Sequence, residues 1–149
     1  MYSKMQLLKV TSYLSPIFIY LLIVLGGYVS ATGAGLACPD WPFCYGKIIP
    51  DFTTAIMIEY SHRVFALFTS LFVVMNLILI RYKCESSRKL LLTSSITVIL
   101  LIAQILLGML TVASQLNPII STLHLANAIA IFTFSLFTSI LVHNFFEQK

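Results

Sequence analysis

Residues 90–116 read LLLTSSITVILLIAQILLGMLTVASQL, twenty-seven positions without one Asp, Glu, Lys or Arg. A helix needs about 20 predominantly apolar residues to cross a bilayer, with about 17 as the lower limit. This run qualifies by itself. Three more charge-free stretches flank it, from Val10 to about Ala37, from Val64 to Ile80 and from Ile119 to Val142. The Val64–Ile80 stretch reaches spanning length when its helix starts before the polar cluster Glu59–Arg63. The reading is therefore an all-α integral membrane protein, one four-helix bundle over residues 1–149. Its spans fall at about 10–31, 54–81, 88–115 and 118–143, with a loop at 32–53. The first span is too long, and too poorly followed by a cleavage site, to be a removed signal peptide.

Composition agrees. Of 149 residues, 59% are hydrophobic and 9% charged. A soluble domain of this size needs far more charge to cover its surface. The net charge of +4 needs no nucleic-acid partner to explain it. Lys4 and Lys9 precede the first span, Arg81, Lys83, Arg88 and Lys89 lie between the second and third, and Lys149 ends the chain. Segment 31–57 carries Asp40, Asp51 and a single lysine, Lys47. Basic residues stay on the cytoplasmic side, which places both termini inside and the 31–57 segment outside a cell membrane crossed several times. Membrane lipid is thus the first partner.

The loop reads Cys38-Pro39-Asp40-Trp41-Pro42-Phe43-Cys44-Tyr45-Gly46. Two prolines favour a turn that brings Cys38 and Cys44 together, and the outer compartment lets a disulfide persist. Such a bond either pins the loop or takes a redox role. Cys84, in the basic inner loop, stays reduced. Trp41, Phe43 and Tyr45 suit the membrane interface. Thr53 or Thr54 caps the second helix, and Asn117-Pro118 opens the fourth.

Titratable groups inside a bilayer are costly, so the few present are informative. The second span carries Glu59-Tyr60-Ser61-His62-Arg63 and the fourth Leu123-His124-Leu125-Ala126-Asn127. His62 lies about eight residues, or ~12 Å, into its helix, and His124 about six residues, or ~9 Å, into its own. Both helices enter from the same side, so the two imidazoles share a depth, as axial ligands of one heme iron must. Either histidine alone reads better as a polar side chain bonded to another helix, and it is the matched depth that brings the heme reading level with it. His143, nineteen positions beyond His124, falls at the other face and reads as interfacial. Glu59 shares a helix face with His62 and is spaced to pair with Arg63. That pair either neutralises itself, or lets Glu59 handle a proton and Arg63 meet a heme propionate. Gly108 permits close packing, Gln104 reads as bland, and Asn76 and Asn127 read as interhelical hydrogen-bonders.

With these residues assembled, the chain resembles heme A synthase. The likeness rests on Gly26-Gly27-Tyr28-Val29 through Thr32-Gly33-Ala34-Gly35, on Cys38-Pro39-Asp40-Trp41-Pro42 through Cys44 and Gly46, on Glu59-Tyr60-Ser61-His62-Arg63, and on Gln104 to Gly108 leading to Leu123-His124. These come in the family's order and cover nearly the whole chain. Ser30 departs from the basic residue that many members carry there.

The resemblance implies an oxidoreductase that turns a methyl group of heme O into the formyl group of heme A, with heme B as cofactor. It implies His62 and His124 as axial ligands, Glu59 as the carboxylate needed for activity, and Cys38 and Cys44 as the paired loop cysteines. A heme O synthase and an electron acceptor such as quinone are the partners this chemistry calls for. The usual members carry eight spans in two similar halves, and this chain resembles the amino-terminal one. Two hemes then call for a homo-oligomer, at least a dimer. Two other readings compete. A bis-histidine heme b electron carrier linked to quinone leaves Glu59 and the cysteine loop without a task. A membrane thiol oxidoreductase leaves the histidines idle.

Overall fold

The computed structural model describes residues 2–84 and 87–147; Lys149, counted above among the inner charges, lies outside them. Four long helices make up the chain, α1 (Tyr2–Ala31), α2 (Thr54–Lys83), α3 (Arg88–Ala113) and α4 (Pro118–Glu147), with a 3-10 turn at Ala34–Leu36. No strand occurs among the described residues. All four helices are long and apolar enough to cross a membrane. Hydrocarbon offers no water to an unpaired peptide group, so a spanning segment satisfies its backbone within itself, and the helix does so.

Local chemistry sets the helix ends. α1 runs through Gly26 and Gly27 and stops before Gly33, whose φ of 71° reverses the chain at low cost. The Thr53 side chain accepts from the Ile56 amide at 3.3 Å and so caps α2. Asn117 does the same for α4, its Oδ1 accepting from Ile119 N at 3.0 Å, with Pro118 in the first turn.

Each helix packs on two neighbours, in the pairs α1–α2, α2–α3, α3–α4 and α1–α4. The bundle is an up-and-down square in which α2 and α4 stand diagonally and run parallel. Its interior is layered. Nearest the termini, Leu8, Ile80, Leu90 and Val142 form an apolar layer together with Cys84. Next come buried hydroxyls and an amide. Asn76 donates through Nδ2 to Ser12 Oγ at 2.6 Å and to Thr11 Oγ1 at 3.3 Å, tying α2 to α1. A second apolar layer follows, built from Ile19, Val73, Leu101 and Ile131. Above it stand the two histidines, and above them the loop. His143 sits at the far end, exposed, its Nδ1 3.0 Å from the Tyr13 hydroxyl.

Loss of a side-chain cap costs a helix about 1 kcal/mol. Asn117→Ala should therefore lower stability by about that amount in reversible SDS unfolding, and Asn117→Asp should keep most of it.

Candidate functional site

The diagonal placement of α2 and α4 sets His62 and His124 across the interior from one another, close enough to interact electrostatically. The other diagonal supplies glycines. A β-carbon at Gly26 of α1 would stand 3.2 Å from His62 Cε1, and one at Gly108 of α3 would stand 3.3 Å from His124 Cε1. A side chain at either position would press on an imidazole, so the glycines let α1 and α3 approach the rings.

Nδ1 of each histidine is buried without a hydrogen-bond partner. His62 makes no hydrogen bond through either nitrogen among the described residues. An orphaned polar atom in a bundle core is costly, which makes two at one level an informative pair. His124 differs in one respect. Asn127 donates from Nδ2 to Gln104 Oε1 at 2.7 Å and to Leu100 O at 2.9 Å. This fixes the Gln104 amide with its nitrogen toward His124, where Nε2 lies 3.2 Å away. Gln104 therefore donates, His124 Nε2 accepts, and the ring proton falls on Nδ1. Sequence reasoning gave Gln104 no role; its one signal was the four-residue spacing to Gly108 on a common helix face.

One turn above His62, Glu59 is 5% exposed, and its Oε1 accepts from Arg63 Nε at 2.9 Å. Oε2 makes no hydrogen bond among the described residues. Arg63 then reaches into the loop. Its Nη1 donates to Asp40 O and Phe43 O, both at 2.7 Å, and its Nη2 donates to Cys38 O at 2.8 Å. Four of its five N–H groups are spent in this way, and one at Nη2 remains.

The loop is built to present those carbonyls. Cys38 and Cys44 are joined as a disulfide, with Cα atoms 4.7 Å apart, and both are buried. Cys44 and Lys47 exchange two backbone hydrogen bonds at 3.1 Å around Tyr45 and Gly46, whose φ values are 54° and 69°. Left-handed conformation at both centres makes this a type I′ turn, which suits the glycine. The Asp40 carboxylate accepts from Tyr45 N at 2.6 Å and Gly46 N at 2.7 Å. The Gly46 amide, followed by that of Tyr45, holds the Asp40 carboxyl below its usual 3.8. Trp41, Phe43 and Tyr45 are exposed on the outside of the loop.

Two measurements check this arrangement. A lysine cannot reproduce the guanidinium fork, and a charged hydrogen bond is worth about 1.5–3 kcal/mol. Arg63→Lys should raise amide hydrogen exchange in residues 38–47 by about tenfold or more, with exchange in α3 unchanged. A carboxyl with a lowered folded pKa stabilises at pH above its ordinary value and loses that contribution as pH falls through the lowered one. The Gly46 amide resonance should keep its bonded shift from neutral pH through pH 4 and lose it only below.

The family model of COX15-CtaA, cytochrome oxidase assembly protein, matches residues 9–56 and 49–146. Among curated proteins, the heme A synthase of Bacillus pumilus is 33% identical over 129 residues, covering 84% of this chain and 42% of that protein. That of Shouchella clausii is 36% identical over 97 residues, 64% of this chain and 32% of that protein. That of Listeria welshimeri is 33% identical over 122 residues, 80% of this chain and 40% of that protein. The chain thus spans about two fifths or less of the length of these relatives. No solved structure matches it. With the two matched segments together reaching from residue 9 to residue 146, the chain belongs to the COX15-CtaA family of cytochrome oxidase assembly proteins.

Proposed function

We propose that this protein takes part in heme A synthesis, oxidising the methyl group of heme O to a formyl group at the histidine level of the bundle. The observation that carries the reading is the pair of half-buried imidazoles on diagonal helices, each with a buried, unpartnered Nδ1 and a glycine against its ring. The relatives named heme A synthase support it.

The donor set fits a heme. His62 and His124, as neutral imidazoles, are the residues that would hold the heme iron, and no hydrogen-bond partner among the described residues claims His62. Heme B bound between His62 and His124 would supply a one-electron redox centre in the membrane. Gln104 and Asn127 hold the His124 ring and fix its tautomer until Nε2 is released.

Converting a methyl to a formyl group takes two oxidations, through an alcohol to a hydrated aldehyde that loses water. Each oxidation takes one oxygen atom from water and delivers two electrons, to the acceptor, and two protons, so a proton acceptor must stand near the carbon. Glu59 is the residue for this task. It is buried on the His62 face of α2, Arg63 fixes Oε1, and Oε2 remains open to take a proton or to face a cationic intermediate. The remaining N–H of Arg63 offers one contact to a propionate. The disulfide loop is held to this end of the bundle by Arg63. An electron carrier would need neither Glu59 nor the loop that Arg63 holds.

The remaining assignments are part of the same proposal. Lys9, Arg81, Lys83, Arg88 and Lys89 gather at the termini end, which supports a cell-membrane orientation with that end cytoplasmic. This bundle offers one buried histidine pair, so holding substrate and cofactor hemes together calls for a second bundle. A second copy of this chain would supply it. A heme O synthase would deliver the substrate, and an acceptor such as quinone would take the electrons.

General acid–base groups contribute about 100-fold or more to rate. Glu59→Gln should keep its heme, read from the Soret band, while conversion of heme O falls by about 100-fold. His62→Ala and His124→Ala should each lose the bis-histidine spectrum. Normal heme A output from Glu59→Gln rules out the role given to that carboxylate.

A further inference from the structure

The polar layer between the two apolar ones has no part in heme chemistry, yet all four helices contribute to it. Ser15, Asn76, Ser94, Thr97, Ser135 and Thr138, together with Val73, line a small cavity with about 10 Å³ open to the centre of a water molecule. A single water requires about 10–15 Å³ on that measure, together with two to four polar partners. Along every helix the layer lies between apolar neighbours. On α1 Ser15 lies between Leu8 and Ile19, on α2 Asn76 between Ile80 and Val73, on α3 Ser94 and Thr97 between Leu90 and Leu101, and on α4 Ser135 and Thr138 between Val142 and Ile131. An apolar layer thus lies on either side of the cavity along the helix axes.

Its hydrogen-bonding capacity is unbalanced. Ser15, Ser94, Thr97 and Thr138 each donate their hydroxyl to a carbonyl one turn back, at 2.7–2.8 Å. Only acceptor lone pairs are left to face inward. Asn76 spends its amide nitrogen on Ser12 and Thr11, and its Oδ1 has no donor among the described residues. The Ser135 hydroxyl, on a residue that is 5% exposed like Asn76, makes no hydrogen bond among them. The cavity therefore offers several acceptors and a single unspent hydroxyl among largely buried residues.

We infer that this cavity is a binding site for one resident water molecule. The water donates to Asn76 Oδ1 and to a hydroxyl oxygen of α1 or α3, accepts from Ser135, and so ties three of the four helices together below the histidine level. A neutral occupant fits, because no carboxylate lies in the layer to offset a cation. The apolar layers above and below separate this water from the histidine level, so it is no segment of a proton path to it. The inference stands independently of the heme reading.

The test uses the whole chain in lipid bilayers. In water-edited solid-state NMR of ¹⁵N-labelled protein, the Asn76 side-chain amide should receive magnetisation from water, while the Leu101 and Ile131 backbone amides of the second apolar layer do not. Absence of that transfer would mean a dry cavity and would overturn the inference. A second readout uses the sign of a filling substitution. Ser135→Thr adds one methyl group, which should expel the water and lower the melting temperature by about 3 °C or more, whereas a dry void would gain from being filled and raise it. Cys84, a buried thiol outside the disulfide, reports unfolding through a thiol dye. Replacing Na⁺ by N-methylglucamine should leave the melting temperature unchanged; a Na⁺-dependent shift would identify a cation site and refute the water.

Discussion

A bilayer interior gives polar groups no water to fall back on, so each must find a partner inside the protein or remain at a cost. That constraint organises this molecule. It makes the four helices long and apolar, turns the Ser and Thr hydroxyls back on their own helices, and binds Asn76 to α1 and Asn127 to α3. Where it is left unmet, it marks a site. The two Nδ1 atoms that lack partners belong to the histidines at a common level, beneath the one carboxylate that is buried among the described residues.

Arg63 is where the parts of the site join. A guanidinium is rarely buried without full pairing, and this one collects a carboxylate from its own helix and three carbonyls from the loop. The loop in turn is folded by a disulfide, by the Asp40 carboxylate and by a tight turn at Tyr45 and Gly46. The state of the loop is therefore felt at Glu59, one turn from His62, through a single side chain. On the opposite helix, Gln104 and Asn127 hold the His124 ring.

Much of this was legible in the sequence. Four charge-free runs give four apolar helices, because crossing hydrocarbon allows little else. The rise per residue, counted from Thr54 and Pro118, puts His62 and His124 at similar depths, and the structure brings the two within electrostatic reach. Asn76 and Asn127 do bond between helices. Arg63 was harder to read. Its pairing with Glu59 follows from spacing, but its three loop carbonyls lie 20–25 residues away, and only the folded loop shows where they point. A propionate was the expected partner; one N–H is left for it. Gln104 escaped notice because its role depends on Asn127, on another helix, fixing its amide. The polar layer was invisible for a similar reason. Scattered Ser and Thr residues form a layer only once the helix register is known. The side of the membrane on which the termini lie rests on charge distribution alone.

The central claim is that the histidine level holds heme and converts it. The most direct measurement is to co-express the chain with a supply of heme O, purify it in detergent and identify the extracted hemes by mass. The account expects heme A together with heme B. Heme B beside unconverted heme O would contradict the synthase reading in favour of an electron carrier, and a protein that carries no heme at all would contradict the account as a whole.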